Sequence, residues 1–285
     1  MIQSSYIKKN QIISILLTLV VFTIFLSFSN KQTSIPWQEI DKGLLYVSLD
    51  LPIKSSHADS KIDVLKINPK NYSFKLICAE QKKSHSKTAK LWAQENNLLA
   101  CVNAGMFKLE GDFKTSMGFL KNGNYINNKT LNPSYKNVFA FNKKDSTLPS
   151  AKIIDMTCDD WKNSKEKYTS FSQCIRMVDC NGKNTWQKDK KKWSMVLMGE
   201  DLDGHILFIF VRSPYTVSEY VDMLLKAPLR LKRLMYLEGG PEASFLVNHK
   251  NLQLEKFGSY ETDFYLSDDN NRFWDIPNVI GILKK

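Results

Sequence analysis

The chain has 285 residues, of which 43% are hydrophobic and 12% aromatic, so it can bury a sizeable core and is unlike a disordered protein. Its formal charge of +11 would suit a nucleic acid, an anionic envelope surface or an acidic substrate. No zinc-finger, RNA-recognition or helix-turn-helix pattern accompanies that charge, and we therefore predict no nucleic-acid partner.

The N-terminal residues are typical of an export signal. Two lysines precede seventeen uncharged residues, 12–28, and a basic start followed by an apolar run is the pattern of a secretory signal. Ser27 and Ser29 offer a small-x-small cleavage pattern. Without cleavage, residues 11–29 would serve as an N-terminal membrane anchor.

The rest of the chain reads as one domain, because no linker and no repeat of fixed period interrupts it. We predict two regions: a signal peptide or membrane anchor over residues 1–30, and a single domain over residues 31–285. The signal places that domain outside the cytoplasm, in the periplasm or cell envelope.

Five cysteines bear on the redox compartment. Cys78 and Cys101 lie in apolar runs and are predicted to be buried thiols. The other three lie closer to loops and are the better disulfide candidates, with the pairing left open: Cys158, Cys174 and Cys180. An exported protein can oxidise them, and the odd total leaves at least one thiol unpaired. No C-x-x-C spacing occurs, so no zinc site is predicted.

The first half of the domain predicts strands with one helix among them. Residues 61–80 predict two strands joined by a turn. A helix follows over 86–97, and a short apolar strand over 98–103 ends in a polar residue. A glycine-rich loop then leads to a hairpin that turns at Asn122-Gly123.

A second hairpin is predicted over residues 192–211, turning at Asp203-Gly204. Asp201 and Asp203 could instead be metal ligands. The Asp-Gly turn accounts for Asp203, however, and no further Asp or Asn follows at calcium-loop spacing. We therefore predict a turn and no metal ligands.

Residues 212–238 predict a crossover connection. Thr216 and Glu219 are spaced as a capping box, and an apolar stripe at helical spacing follows them. A strand then leads to Glu238. If the strands on either side of the helix are parallel neighbours, Arg212 and Glu238 share one edge of the sheet.

Together these elements predict an α+β fold, with mixed, mostly antiparallel sheets packed on a few helices in a single globular domain. The crossover is expected to be its one parallel element.

Two strands end in the same pattern, a polar residue followed by small residues: CVNAGMF (101–107) and YLEGGPEASF (236–245). Together with TSMGFLKNG (115–123), they resemble the phosphodiester glycosidase family. The family pattern combines Asn-Gly/Ala-Gly-x-Phe, x-Gly-x-x-x-x-Gly and Leu-Asp-Gly-Gly-x-Ser. The likeness extends from about residue 60 to the C-terminus. Glu238 stands where the family usually has Asp, and Pro241 stands where a third glycine is common.

The resemblance implies an exported hydrolase that cleaves the glycosidic bond of a sugar-1-phosphodiester in envelope or extracellular polysaccharide. Such cleavage passes through an oxocarbenium-like state that a carboxylate can stabilise or attack. Glu238 is the candidate carboxylate. Glu242 is either an acid/base or an ordinary loop acid.

The substrate of such an enzyme carries one negative charge on its phosphate, and arginine presents paired donors to phosphate oxygens. Arg176 and Arg212 are the candidate clamps, with structural ion pairs as the alternative. The other predicted substrate-binding positions are glycines and short polar residues at strand ends and loops: Asn103, Gly105, Ser213, Gly239, Gly240 and Ser244. A strand cap or a tight turn would explain them equally. No cofactor is predicted, and a divalent metal gathered by carboxylates and Asn103 stays open.

An alternative function is a non-catalytic envelope protein that binds anionic polysaccharide, through the same cleft or through its lysines. The densest lysine run, QKDKKKW at 187–193, is predicted to be a solvated hairpin tip. The residues around Pro241 and Glu242 differ from the family pattern, and a fold does not by itself fix an activity.

Overall fold

The computed structural model describes residues 35–109, 111 and 113–285, so the predicted signal or anchor segment lies outside the described residues. Within these residues, no helix has the length and apolar character needed to cross a membrane. The described chain is mostly strand, and its strands form two antiparallel sheets.

The strands, in chain order, are β1 (Gln38–Asp41), β2 (Leu44–Asp50), β3 (Lys61–Ile67), β4 (Tyr72–Cys78), β5 (Ala100–Asn103), β6 (Leu120–Asn122), β7 (Tyr125–Asn128), β8 (Asn137–Lys143), β9 (Ala151–Asp155), β10 (Tyr168–Val178), β11 (Trp193–Asp201), β12 (Ile206–Tyr215), β13 (Leu231–Gly239), β14 (Ser244–His249), β15 (Leu252–Phe257) and β16 (Asn278–Lys284). The helices are α1 (Ala89–Asn96), α2 (Trp161–Lys167) and α3 (Val217–Lys226), and a single 3-10 turn covers Gly240–Glu242.

The larger sheet has eleven strands in the order β1-β2-β3-β12-β11-β13-β10-β6-β7, with β8 paired to β10 and β9 paired to β8. The smaller sheet has five strands in the order β15-β14-β5-β16-β4. One hydrophobic core lies between the sheets, since it contains Phe208 and Leu237 of the larger sheet together with Val102 and Ile280 of the smaller one. The fold class predicted from the sequence is confirmed.

Successive side chains of a strand point to opposite faces of the sheet, and this alternation explains how the hydrophobic cores are layered. In β12, residues 206, 208 and 210 enter the core between the sheets, whereas residues 207, 209 and 211 enter a second core that contains Tyr220 and Leu224 of α3. Helix α1 covers the outer face of the smaller sheet in the same way, through Trp92. Both faces of the central strands are therefore buried.

The predicted crossover is wrong in one respect. Strands β12 and β13 flank α3 as expected, but β11 lies between them and pairs antiparallel with both. All recorded strand pairings are antiparallel, so the expected parallel pair does not form. The helix sets the direction of the two strands but leaves room for one strand between them, and the hairpin partner of β12 occupies that place.

Cysteine pairing is now resolved. Cys158 and Cys180 form a disulfide, while Cys78, Cys101 and Cys174 are buried free thiols. The prediction for Cys78 and Cys101 is confirmed, and two of the three disulfide candidates are paired. Burial raises the pKa of each free thiol to about 12, which keeps it protonated and unreactive near neutral pH.

We expect the disulfide to stabilise the fold measurably, because it joins residues 22 apart in sequence and so restricts the unfolded chain. Replacing both cysteines, Cys158→Ser with Cys180→Ser, should lower the free energy of unfolding by about 3 kcal/mol in urea denaturation. Reductant should produce the same loss in the parent protein and none in the double variant. Equal stability of parent and variant without reductant would contradict this prediction.

Candidate active site

The motif at the end of β13 carries the chain from one sheet to the other. β13 ends at Gly239 in the larger sheet, and β14 begins at Ser244 in the smaller sheet. The 3-10 turn between them requires a φ of 60° at Gly240, and a β-carbon there would overlap the carboxylate of Glu261. Glycine is therefore the residue type that fits at position 240.

Asn103 holds this turn in place. It lies at the end of β5 with 1% of its surface exposed. Its side-chain Nδ2 donates to the carbonyl oxygen of Glu242 at 3.0 Å, and its Oδ1 accepts from the backbone N–H of Ser244 at 2.8 Å. The Ser244 hydroxyl donates to the same Glu242 carbonyl at 3.1 Å. Predicted as a substrate contact, Asn103 is placed by the structure beneath the turn, where it positions Glu242.

A cavity of about 660 Å³ opens beside the turn. Three carboxylates face it, from Glu238 at the end of β13, from Glu242 in the 3-10 turn and from Glu261 in the loop after β15. The other lining residues are mostly apolar and include one cation: Met106, Phe107, Lys108, Leu109, Met117, Tyr236, Gly239 and Phe264. We call this space the acid cavity.

Crowding and burial change the acidity of the three carboxyl groups. Burial raises the pKa of Glu238 well above its usual range, and the neighbouring charges of Glu242 and Glu261 raise it further. A 3.1 Å hydrogen bond from the Gly239 N–H to Glu238 Oε1 lowers this pKa and so offsets part of the rise. Burial raises the pKa of Glu242 to about 7, and the charge of Glu261 contributes. Burial also raises the pKa of Glu261. Glu242 is thus suited to exchange a proton near neutral pH, and the shift at Glu238 favours its acid form.

The two candidate arginines do not line the acid cavity. The Arg176 Nη1 atom lies 3.1 Å from the buried carboxylate of Asp155 and also bonds Thr157. Arg212 forms an ion pair of 2.8 Å with Asp268 and donates to the carbonyl oxygens of Phe257, Asp268 and Asn270. The expected clamp around Glu238 is not assembled here, because each guanidinium has a carboxylate partner that sequence spacing did not reveal.

The remaining candidates divide by position. Gly239 lines the acid cavity, and Gly240 lies against Glu261. Gly105, with a φ of 112°, turns the chain from β5 into the loop that forms one wall. Ser213 lies away from this cavity: it is fully buried, and its hydroxyl accepts from the Ser60 N–H at 2.7 Å.

Sequence reasoning missed Glu261. No motif surrounds it, and it reaches the cavity because the loop after β15 folds back on the end of β11, where Glu261 forms an isolated bridge with Trp193. Tyr236 was also missed, although it lies two residues before Glu238 and faces the same side. Side chains two residues apart on a strand face the same side, so counting back two residues from the candidate acid Glu238 would have found Tyr236.

Candidate metal ligands lie elsewhere. Within the described ranges, one suitable group joins Asp155 to the two disulfide-bonded cysteines, whose sulfurs are already paired. The other group is Asp201, Asp203 and His205 in the β11–β12 turn. Asp201 pairs with Lys66 at 2.7 Å and accepts the N–H groups of residues 203 and 205, as the predicted Asp-Gly turn requires. Neither group lines the acid cavity.

Comparison with known proteins identifies a family and a fold. A family model described as phosphodiester glycosidase matches residues 96–283. The catalytic domain of zebrafish N-acetylglucosamine-1-phosphodiester alpha-N-acetylglucosaminidase, auto-inhibited by its pro-peptide, is similar in structure, with a TM-score of 0.59 and 12% sequence identity over 87% of this chain and 86% of that one. A hypothetical protein from Synechocystis has a TM-score of 0.57 and 10% identity, over 90% of this chain and 64% of that one. No curated protein matches in sequence. At these identities the structural likeness shows the fold alone.

We expect Asn103→Ala to destabilise the protein by about 3 kcal/mol, because it leaves the Ser244 N–H and the Glu242 carbonyl without their partner in a buried setting. Urea denaturation would measure the loss. Asn248→Ala, at an exposed position of β14, is the matched control and should change stability by less than about 0.5 kcal/mol. Similar values for the two variants would show that the side chain of Asn103 does not hold the turn.

Proposed function

The chain belongs to the phosphodiester glycosidase family, and we propose that it is an exported hydrolase that cleaves the glycosidic bond of a sugar-1-phosphodiester in the cell envelope or in an extracellular polysaccharide. The observation that carries the proposal is the acid cavity, where Glu238 and Glu242 flank the sheet-crossing turn with raised pKa values. A pair of carboxyl groups in different protonation states is what glycoside hydrolysis uses.

The two carboxyl groups take different roles in this proposal. Burial raises the pKa of Glu238, which favours its acid form, and in this proposal that form donates a proton to the phosphate oxygen as the C–O bond breaks. Glu242, with a pKa of about 7, supplies the carboxylate, which faces the positive charge that develops on the sugar. Water then adds to the anomeric carbon and gives up a proton, so the products are the free sugar and a phosphomonoester. This assignment of roles reverses the sequence-based one, in which Glu238 was the carboxylate.

The phosphate needs a cation, and Lys108 is the one that lines the acid cavity. It lies in the loop that follows Gly105. A phosphomonoester leaves readily once its charge is compensated, so one flexible ammonium suits the departing group.

Export is supported by chemistry as well as by the signal-like N-terminus. The disulfide between Cys158 and Cys180 is of the kind that persists in oxidising compartments and is rare in the cytosol. Location in the periplasm or cell envelope, and anchoring through residues 11–29, are part of the proposal.

Glu238→Gln and Glu242→Gln should each lower kcat/KM by about a hundredfold or more on a sugar-1-phosphodiester. Release of free sugar and of a phosphomonoester would be measured together. Glu166→Gln, on the exposed face of α2, is the matched control and should keep the parent rate.

A broad panel of such diesters left intact would contradict the proposal, as would full activity in Glu238→Gln. Binding of anionic polysaccharide without turnover, lost when Lys188, Lys190, Lys191 and Lys192 are replaced, would favour the non-catalytic alternative instead. Lys188, Lys190 and Lys192 line a separate groove beside the start of α3.

The pH dependence of the rate should report Glu242. The carboxylate is the active form, so activity should rise as pH passes through about 7. The charge of Glu261 raises the pKa of Glu242, and Glu261→Gln should therefore move this rise to lower pH. Rate profiles of kcat/KM from pH 5 to 9 would measure the shift, with Glu166→Gln as the control. A rise that stays in place, or moves to higher pH, would contradict the assignment.

A further inference from the structure

Exposed apolar side chains collect at the acid cavity and its neighbour. Ten large hydrophobic residues are exposed within the described part of the chain. Four of them line one or both of these cavities: Leu109 (68% exposed), Phe113 (51%), Met117 (40%) and Phe264 (59%). Single exposed apolar residues are ordinary, but a group of them around a cleft marks a surface that meets an apolar ligand or a membrane.

The neighbouring cavity has a volume of about 780 Å³ and adjoins the acid cavity at Phe107, Leu109 and Glu242, which line both. Aromatic rings form much of its wall: Phe107, Phe113, Phe257, Phe273 and Trp274. Trp274 packs edge-on against Phe264 of the acid cavity, at 6.2 Å between ring centroids. We call this second space the aromatic cavity.

Two cations without partners lie along these cavities. Lys108 lines the acid cavity and Arg272 lines the aromatic cavity, and both are exposed. Neither side chain forms an ion pair or hydrogen bond with the residues that the structure describes. The segment that carries Arg272 is fixed, because Arg212 binds the carbonyl oxygens of Asp268 and Asn270 just before it.

We propose that the aromatic cavity binds the alcohol side of the diester, and that this alcohol is a long alkyl or isoprenoid chain, so that the substrate is a sugar-1-phosphodiester anchored in a membrane. The inference rests on the proposed hydrolase function. The acid cavity holds the carboxyl groups and Lys108, and the adjoining aromatic cavity holds Arg272 with the exposed Leu109 and Phe113. Carboxyl groups, cations and apolar side chains are the groups that would contact the sugar, the phosphate and the hydrocarbon of such a molecule. The net charge of +11 also suits an anionic lipid surface.

A second sugar is the competing occupant of the aromatic cavity, and Leu109 is the residue that argues against it. Leu109 has neither hydrogen-bonding groups nor a flat face on which a sugar ring can stack, yet it is the most exposed of the apolar residues around the two cavities. Two polar side chains of the wall are already engaged: the Thr88 hydroxyl accepts from the Leu91 N–H at 3.2 Å, and Glu255 pairs with Lys90 at 2.7 Å. Ser86, Asn271 and Asp275 also line the wall, so the test must separate a hydrocarbon chain from a second sugar.

The test compares three substrates that share one sugar 1-phosphate, esterified to methanol, to octanol or to a second sugar. With the full chain, kcat/KM should be about tenfold or more higher for the octyl diester than for the methyl diester. Leu109→Ser should reduce that preference at least about threefold. Leu202→Ser is the matched control, because Leu202 is 60% exposed in the distant β11–β12 turn, and it should keep the full preference. Phe113→Ser serves as a second variant if Leu109→Ser fails to fold.

Equal kcat/KM for the octyl and methyl diesters would overturn the inference and leave the hydrolase function standing. So would a preference for the two-sugar diester, or the same loss of preference in Leu109→Ser and Leu202→Ser. If none of the diesters is cleaved, the hydrolase function fails. Calorimetric binding of the same diesters then tests which group the aromatic cavity holds. Tighter binding of the octyl than the methyl diester, lost in Leu109→Ser, would support a hydrocarbon site, and equal binding would overturn it.

Discussion

The candidate site depends on two hydrogen bonds from one buried amide. Asn103 accepts from the Ser244 N–H and donates to the Glu242 carbonyl, and so ties the turn between the two sheets to a strand of the smaller one. β13 and β14 belong to different sheets, and the chain between them has only the residues of a 3-10 turn in which to change layers. With that turn fixed, Glu238 and Glu242 present their carboxyl groups to the same cavity.

Placing three carboxyl groups in one partly apolar cavity costs free energy whenever they are all ionised. The chain meets this cost by raising their pKa values, so that protonation relieves the repulsion. In the proposed mechanism, the same shift gives two chemically identical side chains the roles of acid and base. Charge compensation by arginine would have suppressed it, and in this fold Arg176 and Arg212 are committed to Asp155 and Asp268 instead.

Arg212 illustrates how a residue can matter to a site that it does not enter. Its guanidinium joins the end of β15 to the segment 268–270 through main-chain oxygens. That segment leads directly to Arg272 and Trp274, which face the aromatic cavity. Arg212, predicted to hold phosphate, thus supports the segment that carries Arg272, the arginine that lines the aromatic cavity.

The sequence by itself determined the local structure: the hairpin turns next to Gly123 and Gly204, the helix that begins after Thr216, the α+β class and the family, with Asn103 and Glu238 at its motif positions. Turn chemistry, capping and apolar periodicity act over a few residues, so they can be read along the chain. Only the tertiary structure decided that β11 separates β12 from β13, that Glu261 joins the acid cavity, and that both arginines have carboxylate partners. These are contacts between segments that are distant in sequence. They depend on packing and charge in the folded state, and local sequence patterns do not specify which distant segments come into contact.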